Sequence, residues 1–294
     1  MATSMKTSQH NRSNSVPSAP HPVVSQLEEH FHRLNSSDSI STSSCSSSIS
    51  QKLNALQEFH GCIHEMLRLP TTQRTLSQES CKIWTDELLE GSLKMLDICS
   101  TSKEALLQSK ESIHELQSAA RRKRSGGEKA LAIEGGKYLS SRKNVKKAIK
   151  KALENLKGNK KKEAILLSSS NMEESESFSM IRRFKEAEDV TLAILGSLLC
   201  FISGLRVQPK QRRWSVSKLM KPKRVGCDFE NSNTNEFEKV DTTLLSLLCH
   251  KPQDFQNHME NLELSIEVLE AGIEQLQRQL IRIRVSLLNI PIKH

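Results

Sequence analysis

The sequence offers few side chains whose spacing supports catalysis or metal binding. His60 and His64 lie four residues apart, which lets two imidazoles on one helix reach one metal ion, but no third ligand follows at a suitable spacing. Gly135, Gly136 and Lys137 lack the glycine spacing and the following Ser or Thr of a phosphate-binding loop. The chain also carries no nucleophile elbow, paired-His metalloprotease motif or kinase signature. We therefore predict a non-enzymatic protein without catalytic residues, metal or cofactor; the competing class is an enzyme whose site is assembled from scattered residues.

Two serines have the sequence context of phosphorylation sites. Residues 12–17 read RSNSVP, a pattern that 14-3-3 adaptors bind when its second serine, Ser15, is phosphorylated. Ser215 follows Arg212, Arg213 and Trp214, as in sites of basophilic kinases. Short patterns of this kind also arise by chance in Ser-rich chains. We expect phosphorylation at Ser15 and Ser215, with a 14-3-3 adaptor as a partner through Ser15.

A basic segment is the strongest candidate for a binding surface. Residues 137–162 contain eleven Lys or Arg against one Glu. A helical projection places five lysines on one arc, opposite Val145 and Ile149: Lys143, Lys146, Lys147, Lys150 and Lys151. This pattern predicts binding to an anionic membrane surface or an acidic protein. The alternatives are an ordinary solvated face and internal pairing with residues 228–274, which hold eleven acids. Nucleic acid is the least favoured partner, because Tyr138 is the segment's single aromatic residue.

The apolar spacing along the chain indicates the elements that must position these residues. Hydrophobic residues make up 36% and aromatic residues 4% of the chain, and the apolar positions recur every three or four residues. We predict an all-α fold, an elongated helical bundle with long antiparallel helices. Residues 1–48 form a mostly disordered tail with a short helix at 23–34. Residues 49–294 form a single helical-bundle domain with flexible loops near 158–177 and 204–235.

The last predicted helix has the most regular apolar pattern, with steps that alternate between four and three residues. Its heptad seam consists of Met259, Leu262, Ile266, Leu269, Ile273, Leu276, Leu280, Ile283 and Leu287. Such a seam can pair with a second chain as a parallel dimer. Five further apolar residues lie off the seam and widen the apolar face: Leu264, Val268, Ile281, Val285 and Leu288. Packing inside one chain is therefore favoured over a homodimer.

Cysteine usage and the termini bear on the compartment. The seven cysteines are scattered and form no CxxC pair, which is typical of a reducing compartment. The longest uncharged apolar stretch, 190–205, is shorter than the roughly 20 residues that a spanning helix needs. We predict a cytoplasmic protein. The basic run 121–124 makes the nucleus an alternative, and the Ser-rich, acid-free first 27 residues make the plastid another.

Several blocks of sequence, in this order and spacing, carry a family resemblance. They include LQEFHGCIHEMLRLPTTQRTLS at 56–77, WTDELLEGSLKMLDICSTSKEALLQSKESIHELQS at 84–118, KYLSSRKNVKKAIKKALENLK at 137–157, and NEFEKVDTTLLSLL at 235–248. Together with RSNSVPSAPHPVVSQLEEHFHRL at 12–34 and FISG at 201–204, these blocks resemble the plant-specific BYPASS-like proteins. The resemblance implies a role in root and shoot development and carries no catalytic motif across. We therefore expect a helical interaction protein.

Overall fold

The computed structural model describes residues 21–38, 45–123, 128–169, 176–205, 234–247 and 254–290. These residues form eight α-helices and one 3-10 turn, and no β-strand is present among them. The elements are α1 Pro22–Asp38, α2 Ser46–Arg68, α3 Pro70–Leu76, the turn Glu79–Cys81, α4 Lys82–Lys123, α5 Glu128–Ser169, α6 Glu176–Ser203, α7 Glu236–Leu247 and α8 Phe255–Leu288. The prediction of an all-α helical bundle is confirmed. Residues 1–20 of the predicted tail, and most of the predicted loop at 204–235, lie outside the described residues.

Helix α8 carries the heptad seam, and the bundle buries that seam within one chain. The nine seam residues are each at most 5% exposed: Met259, Leu262, Ile266, Leu269, Ile273, Leu276, Leu280, Ile283 and Leu287. They belong to one continuous core cluster, against which α2 and α4 pack. The five off-seam apolar residues are 49–60% exposed instead: Leu264, Val268, Ile281, Val285 and Leu288. Helix α8 therefore has one buried apolar side and one exposed apolar side.

Helix α2 runs parallel to α8. Ser265 Oγ, ten residues into α8, donates to Ser46 Oγ at the start of α2 at 3.0 Å, and Gln57 Nε2 donates to the carbonyl oxygen of Gly272 at 3.3 Å further along both helices. The two helices approach closely because residue 272 has no side chain. A Cβ atom added there would lie 3.1 Å from Cδ1 of Leu53.

Helix α4 runs antiparallel to α8. Arg284 donates to Ser92 Oγ at 3.0 Å, and Gln277 donates to Ser100 Oγ at 3.1 Å, so rising numbers on α4 meet falling numbers on α8. With 42 residues, α4 is about 63 Å long at the usual rise of an α-helix. Helix α4 also packs against α5 and α6, and this arrangement agrees with the predicted bundle of long antiparallel helices.

Helix α5 continues beyond the predicted start of a flexible loop at 158. It ends at Ser169, and residues 170–175 lie outside the described residues. The stretch 160–167 reads KKKEAILL, in which most residues are good helix formers. Their summed helix propensity outweighs the low propensity of Gly158 and Asn159, the first residues of the predicted loop.

Helix α1 is longer than the predicted 23–34 segment and packs on the bundle. Pro22 occupies its first turn, where a missing backbone N–H costs nothing. Leu27 and Leu34, seven residues apart on one face, are 3% and 2% exposed within the common core cluster. Because this apolar face is buried, α1 belongs to the bundle. The sequence pattern had predicted it as a short helix within the tail.

Candidate functional site: the basic face of α5

The basic face consists of the five lysines that the sequence placed on one arc of α5. Its opposite side is anchored by Val145 and Ile149, which are buried in the core. Four of the lysines are exposed: Lys143, Lys147, Lys150 and Lys151. Within the part of the chain that the structure describes, these four make no ion pair. The fifth, Lys146, is only partly exposed. The structure thus presents four ammonium groups to solvent within about two and a half helical turns.

Lys146 differs from its neighbours because it pairs with Asp241 of α7. Its Nζ lies 3.0 Å from Oδ2 of Asp241. Arg142 Nε is 3.2 Å from Oδ1 of the same carboxylate, and Tyr138 Oη donates to Oδ1 at 2.9 Å. Burial, with the negative charge of Asp241 as a second cause, raises the pKa of Tyr138 well above its usual value. This cluster links α5 to α7.

Arg142 is a structural cation that the sequence analysis did not single out. It is 2% exposed, its Nη1 donates to the carbonyl oxygen of Ile202 at 2.8 Å, and its guanidinium lies 4.5 Å from the ring centroid of Phe237. Arg142 therefore joins α5 to the end of α6 and to α7. One signal was present in the sequence: Arg142 follows Tyr138 by four residues and precedes Val145 by three, so it lies on the apolar stripe.

The acids of α8 face α4 rather than the basic face. Lys110 Nζ lies 3.1 Å from Glu267, and Glu263 accepts hydrogen bonds from Gln117 at 2.8 Å and from His114 at 2.5 Å. The hydrogen bond from Gln117, followed by that from His114, lowers the pKa of Glu263. Glu270 and Glu274 also pair with lysines of α4, so four of the eleven acids that the sequence offered as internal partners for the basic face lie against α4.

His60 acts as a hydrogen-bonding group of the core. It is 1% exposed, and its Nε2 lies 2.8 Å from Oγ1 of Thr191, whose hydroxyl donates to the carbonyl oxygen of Ala187. Because that hydroxyl proton is already used, Nε2 carries the imidazole proton and donates. Burial lowers the pKa of His60 to about 4. His64 lies on a more exposed part of α2, and the described residues contain no group of three side chains that could hold a metal ion.

A pocket of about 320 Å³ lies between α1, α2 and α6 and combines an imidazole with two carboxylates. Its polar lining includes His32, Glu28 and Glu186. Glu28 lies 2.5 Å from Arg183, and Glu186 is 3.1 Å from Arg182. Both carboxylates are therefore held by arginines and neither is an unpaired general base. The pair of Glu28 with Arg183 ties α1 to α6, whereas that of Glu186 with Arg182 lies within α6.

The remaining predicted positions fall in two groups. Ser15 and Ser215 lie outside the described residues. Gly135, Gly136 and Lys137 lie inside α5, in a helix and not in a loop that could surround a phosphate. A Cβ atom added at Gly135 would lie 3.2 Å from Cδ1 of Leu244, so this glycine allows α7 to approach α5.

The described part of the chain is thus an all-α helical bundle with an exposed basic face, and none of its helices is long and apolar enough to cross a membrane. A family model described as Protein BPS1 matches residues 52–290, which is most of the chain. The chain belongs to this family, and its resemblance to the BYPASS-like proteins is confirmed. Family membership associates the chain with plant development. No curated protein and no solved structure shows a significant match to it.

Proposed function

We propose that the chain is a non-enzymatic interaction protein in plant root and shoot development, and that it docks on an anionic surface through the basic face of α5. The observation that carries this proposal is the exposure of four lysines that have no ion-pair partner among the described residues. Unneutralised like charges on one face repel one another, and an anionic partner relieves that repulsion. The partner is an anionic membrane leaflet or an acidic protein.

The expected strength follows from the number of lysines. A lysine close to an anionic leaflet contributes about 1 kcal/mol, so four contribute at most about 4 kcal/mol, or nearly a thousandfold in affinity. Val145 and Ile149 are buried, so binding rests on charge and not on insertion of an apolar face. Raising the salt to about 1 M, where the Debye length is near 3 Å, should therefore abolish it.

The test compares a quadruple variant with a single one. The binding variant replaces the four exposed lysines with Gln: Lys143, Lys147, Lys150 and Lys151. Lys146→Gln is the control, because it removes a charge of the same face that pairs with Asp241 in the folded chain. We measure co-sedimentation with vesicles that contain phosphatidylserine, retention on poly-L-glutamate, and the melting temperature.

We expect the quadruple variant to lose binding without a change in melting temperature, and Lys146→Gln to keep most of it. Loss on vesicles alone identifies a lipid surface, and loss on both probes is consistent with an acidic protein. Full binding by the quadruple variant would refute the docking proposal. A lower melting temperature in that variant would place its lysines among the stabilising contacts of the bundle.

A second proposal concerns Ser15, which is carried by the RSNSVP pattern of residues 12–17. A phosphate on Ser15 supplies the charge that the Arg-lined groove of a 14-3-3 adaptor requires. The full chain, phosphorylated or not, is tested for binding to a 14-3-3 protein, with Ser13→Ala as the control for Ser15→Ala. Equal binding of the phosphorylated and unphosphorylated chains would contradict this proposal.

Phosphorylation of Ser215 would offset positive charge in the segment 206–224.

Compartment and partners can be tested together. We place the protein in the cytoplasm, with the nucleus and the plastid as the alternatives that the sequence leaves open. Proximity labelling with the full chain in root tips reports the compartment and the neighbouring proteins without assuming an activity. Substrate turnover that depends on His32 or Glu186 of the α1–α6 pocket would instead favour the enzyme alternative.

A further inference from the structure

The outer side of α8 is an apolar surface that the bundle leaves uncovered. Two patches lie along it, at 264–271 and at 281–288, on the side opposite the buried seam. Their large side chains are Leu264, Val268, Ile281, Val285 and Leu288, each about half exposed or more. Ala271, also exposed, completes the first patch. The spacing of Leu264, Ala271 and Val285 by multiples of seven keeps both patches on one face.

The charges on α8 are divided between its two halves. Residues 254–274 contain six acids and no Lys or Arg, and residues 275–290 contain three Arg and no acid. Several of these charges contact α4, but each half also has exposed ones: Asp254, Glu260 and Glu267 in the first half, and Arg278 and Arg282 in the second. A helix with this division attracts a second copy of itself when the two run in opposite directions, because each acidic half then meets a basic half. A parallel arrangement would set like charges beside each other.

We propose that the outer side of α8 is a self-association surface, on which the α8 of a second copy packs antiparallel about a two-fold axis. A two-fold interface needs a surface that complements itself, and one alignment of the two antiparallel α8 helices provides such a surface. If Leu264 lies opposite Leu288 of the second copy, Ala271 lies opposite its Ile281 and Glu274 opposite its Arg278. In this register the first apolar patch of each copy packs on the second patch of the other.

This surface is distinct from the heptad seam and from the basic face. The seam is buried against α2 and α4 within one chain, so it is not available to a partner. The contact from Leu264 to Leu288 spans about 36 Å of helix, with a polar centre at Gln275 and Arg278. A contact of one helix face per copy is at the small end of specific interfaces, so we expect a reversible dimer at micromolar concentration.

The first test is sedimentation equilibrium of the full chain from about 1 to 100 μM, with Ile281→Glu as the disrupting variant. We expect a monomer–dimer equilibrium that Ile281→Glu weakens at least tenfold. Ile133→Glu is the matched control, since Ile133 of α5 is 60% exposed and lies outside the proposed surface. Both substitutions are on the surface, and melting temperatures verify that each variant folds.

The second test uses charge exchange to examine direction and register. Arg278→Glu places a glutamate opposite Glu274 of each partner copy and should weaken the dimer, whereas the double variant Glu274→Arg with Arg278→Glu restores opposite charges and should recover it. The double variant keeps the pairing between residues 274 and 278 within one chain, where they lie 3.3 Å apart, but it replaces the contact of Glu274 with Lys103 of α4 by two cations. The melting temperatures of both variants are therefore compared with that of the wild-type chain. A chain that stays monomeric at 100 μM, a dimer unaffected by Ile281→Glu, or a double variant no stronger than Arg278→Glu would overturn the proposal.

Discussion

Gly91 is a position at which a single added methyl group should test how α4 and α6 pack. A Cβ atom built on Gly91 lies 2.5 Å from Cδ of Glu188, so alanine cannot enter unless that carboxylate moves. Glu188 is buried, lies 3.2 Å from Nζ of Lys185, and is 4.0 Å from Nζ of Lys94. Moving the carboxylate therefore weakens a buried ion pair.

Two opposing terms set the magnitude. Replacing Gly by Ala inside a helix favours folding by about 1 kcal/mol. Complete loss of a buried ion pair costs about 3–5 kcal/mol, but Lys185 keeps Glu87 at 3.7 Å as a second partner, so displacing the Glu188 carboxylate should cost about 2–3 kcal/mol. The second term is larger, so Gly91→Ala should lower the free energy of unfolding by about 1–2 kcal/mol, or the melting temperature by about 2–8 °C for a domain of this size.

Urea unfolding of the full chain provides the assay, with a double-mutant cycle to isolate the cause. In a Glu188→Ala background the clash is absent, and Gly91→Ala should then stabilise by up to about 1 kcal/mol. Gly61→Ala on α2 is the control, because a Cβ added there has no neighbour within 4 Å, and it should stabilise in the wild-type chain. The reasoning is refuted if Gly91→Ala stabilises like Gly61→Ala, or has the same effect in both backgrounds.

Two further predictions rest on buried polar groups. Arg142→Met should lower the free energy of unfolding, measured with urea, by about 2–4 kcal/mol, since the Ile202 carbonyl loses its donor and Asp241 loses a partner. The neighbouring Lys143→Met is the control and should change the free energy of unfolding by less than about 0.5 kcal/mol. His60 has a pKa of about 4 in the folded chain, below its unfolded value, so the unfolded state binds more protons between those pH values. The stability that neutral, buried His60 contributes is fully present above about pH 6.5. As the pH falls to 4, the free energy of unfolding decreases by about 3 kcal/mol. His60→Gln should flatten this pH dependence, and an unchanged slope would contradict the assignment.

The helices could be predicted from the sequence because each shows its buried side as a spacing of three and four. The seam of α8 and the apolar side of α5 around Val145 and Ile149 are of this kind. What could not be predicted depends on which helices become neighbours. Gly91 looks like a weak point of a helix until α6 places Glu188 against it. Arg142 looks like one more cation of a basic segment until Asp241 and Ile202 surround it.

The same dependence on neighbours divides the charges of α5. The sequence contains enough acid in 228–274 to neutralise every lysine of the basic face, so total charge cannot decide between internal pairing and docking. Topology bears on this choice, because α8 runs along α4 and brings its acids to the cations there. Helix α7 brings Asp241 within 3.0 Å of Lys146, while Lys147, the next residue, turns about 100° away and is exposed. Adjacent lysines of one helix therefore differ in kind: Lys146 holds α5 to α7, and Lys147 presents a charge that α7 does not neutralise.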